Sequence, residues 1–218
     1  MIEKFNGFFD PYTVKHNIHI IGCGAIGSTL AIMLTRCGLT NINLWDFDVV
    51  ESHNLANQQY VYAHIGMNKT TALSSLMTAI NPQIKVTLRG RWLPGDVLDG
   101  HVFLAVDNIE LRKQIVMEQR GNGNIKSMWD FRMRLKDAQH YGYSWEDPAD
   151  RDRFLATMQF SQAEADAATP VNACNMTMSI MPTVETVVGV GVGNFINYIH
   201  GKKPERLIMV NPFDMMIG

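Results

Sequence analysis

The sequence predicts an α/β protein built on a doubly wound, mostly parallel sheet whose C-terminal portion turns antiparallel. Three observations predict it. NIHIIG at 17–22 is a short β-branched run ending in glycine, and a segment of helical spacing follows at once. Strand and helix then alternate up to residue 119, as expected of parallel strands joined by helical crossovers. VFLAV at 102–106 is continuously apolar, the pattern of a strand covered on both faces.

The elements follow in order. Ile26, Leu30, Met33 and Leu34 recur at helical spacing within 25–37, and Gly38 stops that helix. NINLW at 41–45 is the second strand and completes a βαβ unit of roughly 30 residues. Residues 66–80 make a helix that ends at Asn81-Pro82, because proline pushes its predecessor out of helical geometry. Residues 84–88 supply a third strand, 102–106 a fourth, and 108–119 the helix after it.

Beyond Gly123 the pattern changes. Residues 125–131 and 140–144 read as strands, and SQAEADAATPVN at 161–172 reads as a mobile surface crossover. Residues 175–198 form a long apolar helix with Pro182 near its start and glycines at 189, 191 and 193. Each interior glycine costs about 1 kcal/mol relative to alanine. Three together predict that another backbone packs very close, as a second subunit would.

Composition removes several classes of function. A formal charge of −2 supplies no basic field for gripping nucleic acid. Cys23, Cys37 and Cys174 contain no C-x-x-C pair, so neither a disulfide framework nor a four-Cys zinc site is expected, and a reducing cytoplasm suits them. MIEKFNGFFDPYTVKHN includes Glu3 and Asp10 and has no long apolar core, so it reads as neither signal peptide nor anchor. The most apolar stretch, 184–199, contains Glu185, Asn194 and Asn197 and is too short and polar to span a bilayer. The expectation is a cytoplasmic protein without membrane or nucleic-acid partners.

Gly22-Cys23-Gly24-Ala25-Ile26-Gly27 is a G-x-G-x-x-G loop between a strand and a helix, where backbone N–H groups and a helix N-terminus can hold phosphates. Asp46, 22 residues after Gly24, is placed to accept from a ribose. That combination predicts a Rossmann-like nucleotide site without choosing between ATP and NAD. His19 and His101 read as core histidines, which leaves little for a hydride-transfer enzyme. If 54–58 is helical, Asn54, Asn57 and Gln58 share one face directed at the phosphates.

Seven segments stand in order: GCGAIG (22–27), LTRCG (34–38), DFDVV (46–50), NLANQ (54–58), GMNK (66–69), INP (80–82) and DNIELR (107–112). In this series the chain resembles the ThiF and MoeB superfamily, which includes the ubiquitin-activating enzymes. WDFRM at 129–133 is similar to the D-x-R-M segment of small ThiF-like proteins of phage and plasmid type. The resemblance implies ATP-dependent adenylation of the C-terminal carboxylate of a small ubiquitin-like protein or peptide, with ATP and Mg²⁺, no zinc, and a homodimer. It implies one ThiF-like domain over 1–218, with a nucleotide-binding half at 1–122 and a substrate-tail and dimerisation half at 123–218.

By the same resemblance Gly22, Gly24, Gly27, Asp46, Asn54, Gln58, Lys69 and Asn108 hold the nucleotide, and Asp107 holds Mg²⁺. Lys69, Asp107, Arg132 and Cys174 are the candidate catalytic residues. Each has a plainer alternative: Lys69 as a first-turn surface lysine, Asn108 as a helix start, Cys174 as a small buried residue. Arg112 reads equally as a solvated or dimer-facing side chain. Two positions depart from the family pattern: Asn57 stands where N-L-x-R-Q has arginine, and the N-terminal segment has no arginine. That departure keeps a non-catalytic binding module of the same fold in view.

Overall fold

The computed structural model describes residue 4 and residues 7–168, 170–171 and 178–218. In chain order these contain β1 (Ile18–Ile21), α1 (Ala25–Arg36), β2 (Asn41–Trp45), α2 (Lys69–Ile80), β3 (Lys85–Arg89), β4 (Gly100–Leu104) and α3 (Ile109–Gln119). There follow β5 (Ile125–Met133), β6 (Ala138–Ser144), α4 (Pro148–Ala156), α5 (Gln162–Ala167), α6 (Met181–Ile199), β7 (Ile208–Asn211) and β8 (Met216–Ile217). All eight strands join one sheet in the order β3-β2-β1-β4-β5-β6-β7-β8. Pairings from β3 through β5 are parallel, and those from β5 through β8 are antiparallel.

Strand residues alternate between two cores, as a period of two requires. Ile20, Phe103 and Trp129 join one with α1, α2 and α6, whereas Ile21, Val102 and Met128 join the other with α3 and α4. The chain leaves β1 to build β2 and β3 on one side, then returns to β4 on the other. That reversal opens a crevice beyond the carboxyl ends of β1 and β4, where ligands of such sheets bind.

Several expectations shift. The helix expected over 66–80 starts at Lys69, because Gly66 has φ +86°, outside the helical region, and Asn68 bridges antiparallel to Val49. The expected crossover is in its described part the helix α5, where Ser161 and Glu164 form a capping box. α6 begins at Met181 with Pro182 in its first turn, where a missing N–H costs nothing. α4, β7 and β8 add to the expected elements.

The three α6 glycines have different reasons. A Cβ on Gly191 would stand 2.4 Å from the Phe131 ring and 3.1 Å from His140 Nδ1, so a ring rather than a second backbone makes the close approach. Gly189 and Gly193 have nothing within 4 Å of that position. Gly191→Ala should therefore destabilise the fold by about 1–3 kcal/mol through overpacking. Gly193→Ala should stabilise it by about 0.5–1 kcal/mol through helix propensity, and thermal unfolding of both variants reads the opposite signs.

His101 and His140 are buried core histidines, and burial holds their pKa values down to about 4 and about 3. Their ordinary value is about 6.5, so below that pH the unfolded chain binds protons that the folded chain refuses. The stability they contribute is complete above pH 6.5 and declines as pH falls towards those folded values. Urea unfolding should lose about 1.4 kcal/mol per pH unit per histidine in that window, and His101→Gln should give a shallower acid limb.

Candidate active site

At the exit of β1 the three loop glycines divide their work. Gly22 takes φ +97° and crosses the β4 exit so closely that a Cβ would lie 2.7 Å from Ala105 O. A Cβ on Gly27 would lie 1.8 Å from Gly22 O, so this glycine lets α1 pack against the turn. Gly24 has nothing within 4 Å of its Cβ position and precedes α1 without a side-chain cap. First-turn N–H groups of a helix lack intrahelical partners and favour an anion. Open space stands at the one glycine where a phosphate needs it.

Asp46 follows β2 and ties its exit to the loop: Oδ2 accepts from Cys23 N–H at 2.6 Å and Oδ1 from Asp48 N–H at 2.8 Å. Asp48 in turn accepts from Lys69 Nζ at 3.0 Å, and its carbonyl accepts from Lys69 N–H at 2.9 Å. Lys69 is 8% exposed, so it is a buried ammonium rather than a surface lysine. Its single carboxylate partner leaves donor capacity over, since an ammonium has three N–H groups.

Tyr60, absent from the sequence reading, donates from its hydroxyl to Cys23 O at 2.7 Å. Burial above all, with Cys23, Asp46 and Asp48 adding, pushes its pKa up and keeps it a donor. Nothing in NLANQQY beyond an aromatic after the amides signalled it. The Cys23 thiol is also pushed up, by burial first and Asp46 second, and stays protonated.

The amides of 54–58 do not share a face. Ser52–Ala56 is a 3-10 turn, and Asn57 leaves it at φ −147°. Asn54 turns inward, its Oδ1 accepting from Glu51 N–H at 2.9 Å. Asn57 donates from Nδ2 to Ser179 Oγ and, at 3.5 Å, to Ser179 O, just before α6. Gln58 Oε1 is buried and has no hydrogen-bond partner among the described residues. Gln59 bridges α1 and α6, donating from Nε2 to Thr29 Oγ1 at 3.2 Å and to Glu185 Oε1 at 3.0 Å.

Asp107 is exposed beyond β4. Among the described residues no group of three or more His, Cys, Asp or Glu side chains could hold a metal ion. A lone carboxylate at a strand exit still fits Mg²⁺, which binds through one or two carboxylates completed by substrate phosphates and water. Asn108 is the N-cap of α3, its Oδ1 accepting from Leu111 N–H at 2.8 Å. Arg112 is buried, neither solvated nor facing outward, and its Nε donates to Val106 O at 2.7 Å.

Arg132 sits apart from the glycine loop contacts. Its Nε donates to Asp130 at 2.7 Å, its Nη1 to Thr157 O at 2.7 Å and its Nη2 to Thr157 Oγ1 at 2.8 Å. The guanidinium lies 4.4 Å from the Tyr141 ring centre. Cys174 falls outside the described residues. No described helix is long and apolar enough to cross a membrane.

The model of the ThiF family matches residues 14–119. Ubiquitin-like modifier-activating enzyme 5 of Dictyostelium discoideum is 32% identical over 135 residues, 53% of this chain and 35% of that protein. The match thus spans about a third of that relative's length. Crystalline PaaA superposes with a TM-score of 0.71 at 18% identity, covering 95% of this chain and 64% of its own. Escherichia coli MccB, solved with ATP, superposes with a TM-score of 0.68 at 17% identity, with the same coverages. The glycine loop, the acids after β2 and β4, and the N-terminus of α2 all lie in the span that matches the ThiF family model, and the fold is the one shared with PaaA and MccB.

Proposed function

We infer that the chain is an ATP-dependent adenylyltransferase that activates the C-terminal carboxylate of a small ubiquitin-like protein or peptide and releases pyrophosphate. The observation that carries this reading is Gly24, the loop glycine that opens to free space beside uncapped first-turn amides of α1. The likeness in fold to MccB, solved with ATP, favours ATP over a dinucleotide.

Joining a carboxylate to an α-phosphate brings two anions together and loads charge on the leaving group, so charge stabilisation matters more than a base. Lys69 offers its spare N–H donors to phosphate oxygens while Asp48 keeps the ammonium in place. Asp46 retains lone pairs for ribose hydroxyls after accepting its two backbone bonds. Gln58 presents an amide that needs a partner; with the amide turned it donates to a phosphate oxygen. Asp107 would hold Mg²⁺, which would neutralise phosphate charge. Asn54 and Asn108 support this surface as caps that fix the turn and the start of α3, and Gly22 and Gly27 shape the loop. A symmetric dimer belongs to the same proposal.

A second reading, a binding module of reduced activity, is favoured by Asn57. Its amide is tied to Ser179 where the family pattern carries arginine, and a guanidinium in phosphoryl chemistry can be worth powers of ten in rate.

Partner-dependent exchange of labelled pyrophosphate into ATP tests the first reading, and Asp107→Ala should abolish it. Calorimetric ATP binding without exchange for any carboxylate partner would instead support the second. Gly24→Ala should keep the fold yet weaken ATP binding by about tenfold, on the order of 1.4 kcal/mol. Gly27→Ala should cost about 2 kcal/mol of stability or more, because the turn and α1 must part, which separates the two glycines by unfolding and calorimetry.

A further inference from the structure

Asp130 is a fully buried carboxylate of β5, paired in register with Leu104, the last residue of β4. Two guanidiniums reach it. Arg112, from α3, donates through Nη1 to Asp130 Oδ1 and, at 2.8 Å, to Phe131 O, while its Nε and Nη2 hold Val106 O. Arg132 donates through Nε to the other oxygen, and its two remaining nitrogens hold Thr157.

The far ends of these arginines are different loops. Val106 immediately precedes Asp107. Thr157 ends α4 and leads into the crossover, where Phe160 O accepts from Lys113 Nζ at 2.6 Å and the Gln162 side chain accepts from Ile109 N–H at 2.8 Å. Both crossover ties land on α3, the helix that also carries Arg112.

We propose that Asp130 is a positioning residue that locks the 105–108 loop and the 157–168 crossover into one register through Arg112 and Arg132. A buried carboxylate stripped of a partner is strongly unfavourable. A guanidinium bound through several nitrogens is planar and fixed in orientation, unlike an ammonium. Displacing either loop therefore drags its arginine, then Asp130, then the other loop. On the adenylation reading, on which this step rests, nucleotide binding beside Asp107 fixes the crossover before the carboxylate partner arrives.

Hydrogen–deuterium exchange on the full chain tests the coupling without any ligand. In Arg132→Gln, amides of 157–168 should exchange about tenfold faster and those of 105–112 about threefold faster, with α1 and α2 unchanged. Thr157→Val, which removes one acceptor and leaves every charge in place, should give the same pattern at smaller size. Loosening confined to 157–168, or no change at either segment, would overturn the proposal. In a second arm, ATP with Mg²⁺ should slow exchange at 157–168 in the unmodified chain and not in Arg132→Gln. ATP binding that leaves 157–168 unprotected in the unmodified chain counts against the coupling. Failure of ATP to bind counts against the adenylation reading alone, because the ligand-free arm still decides the role of Asp130.

Discussion

Asp46 accepts one backbone N–H from the glycine loop and another from Asp48, and the rest of the candidate site hangs from those two bonds. Hydrogen bonds to an ionised acceptor are roughly twice as strong as neutral ones, so the exits of β1 and β2 are joined by more than ladder pairing. Asp48 is then fixed in the position from which it holds Lys69. The backbone repeats the tie: Val50 N–H donates to Met67 O and Gly66 N–H to Val50 O, which docks the start of α2 on the segment after β2. A buried ammonium, a glycine loop and a carboxylate thus come from three elements and are registered by one side chain.

Packing sets the second constraint. Gly22 and Gly27 let the β1 exit, the β4 exit and α1 approach within distances that no side chain tolerates, whereas a Cβ on Gly24 would meet nothing within 4 Å. The arrangement explains why one motif contains glycines of such different sensitivity. Two are required by the fold itself, and the third is not.

The parallel half of the sheet was legible because its periodicities are strong: the continuous run at 102–106 and the spacing of Ile26, Leu30 and Leu34 report burial directly. The seven motifs placed Lys69 correctly at the start of α2, but its burial depends on the bridge between Val49 and Asn68, which is tertiary. The shared face of Asn54, Asn57 and Gln58 failed because a 3-10 turn does not repeat at 3.6 residues, and Asn57 lies beyond it. α4 and α5 had readable starts, Asp147 before Pro148 and Ser161 with Glu164, in segments too polar for a periodicity argument. β7 and β8 are strands of four and two residues, β8 an exposed edge, too short for a hydrophobic period to mark them. The close approach at Gly191 was legible as a glycine without need of a side chain, but not as the ring of Phe131.

Charge imposes the last constraint on any reading of the crevice. Asp46 and Asp48 follow β2 and Asp107 follows β4, while Lys69 is already shared with Asp48. Arg112 of the DNIELR segment and Arg132 of the WDFRM segment are both committed to Asp130, and Asn57 brings an amide in place of a cation. On the adenylation reading a polyphosphate would meet these carboxylates, and at contact distances that repulsion is only partly screened by salt; Arg89 and Arg91, stacked over Trp45 and Phe47 at the end of β3 and just beyond it, are guanidiniums on that side. Backbone N–H groups at the loop and the first turn of α1 would offset part of that repulsion, and a counter-ion arriving with the ligand another part. On the proposed reading binding and turnover would part company here: the groups that position an anion are backbone and survive the loss of arginines, whereas those that stabilise charge developing during reaction are side chains.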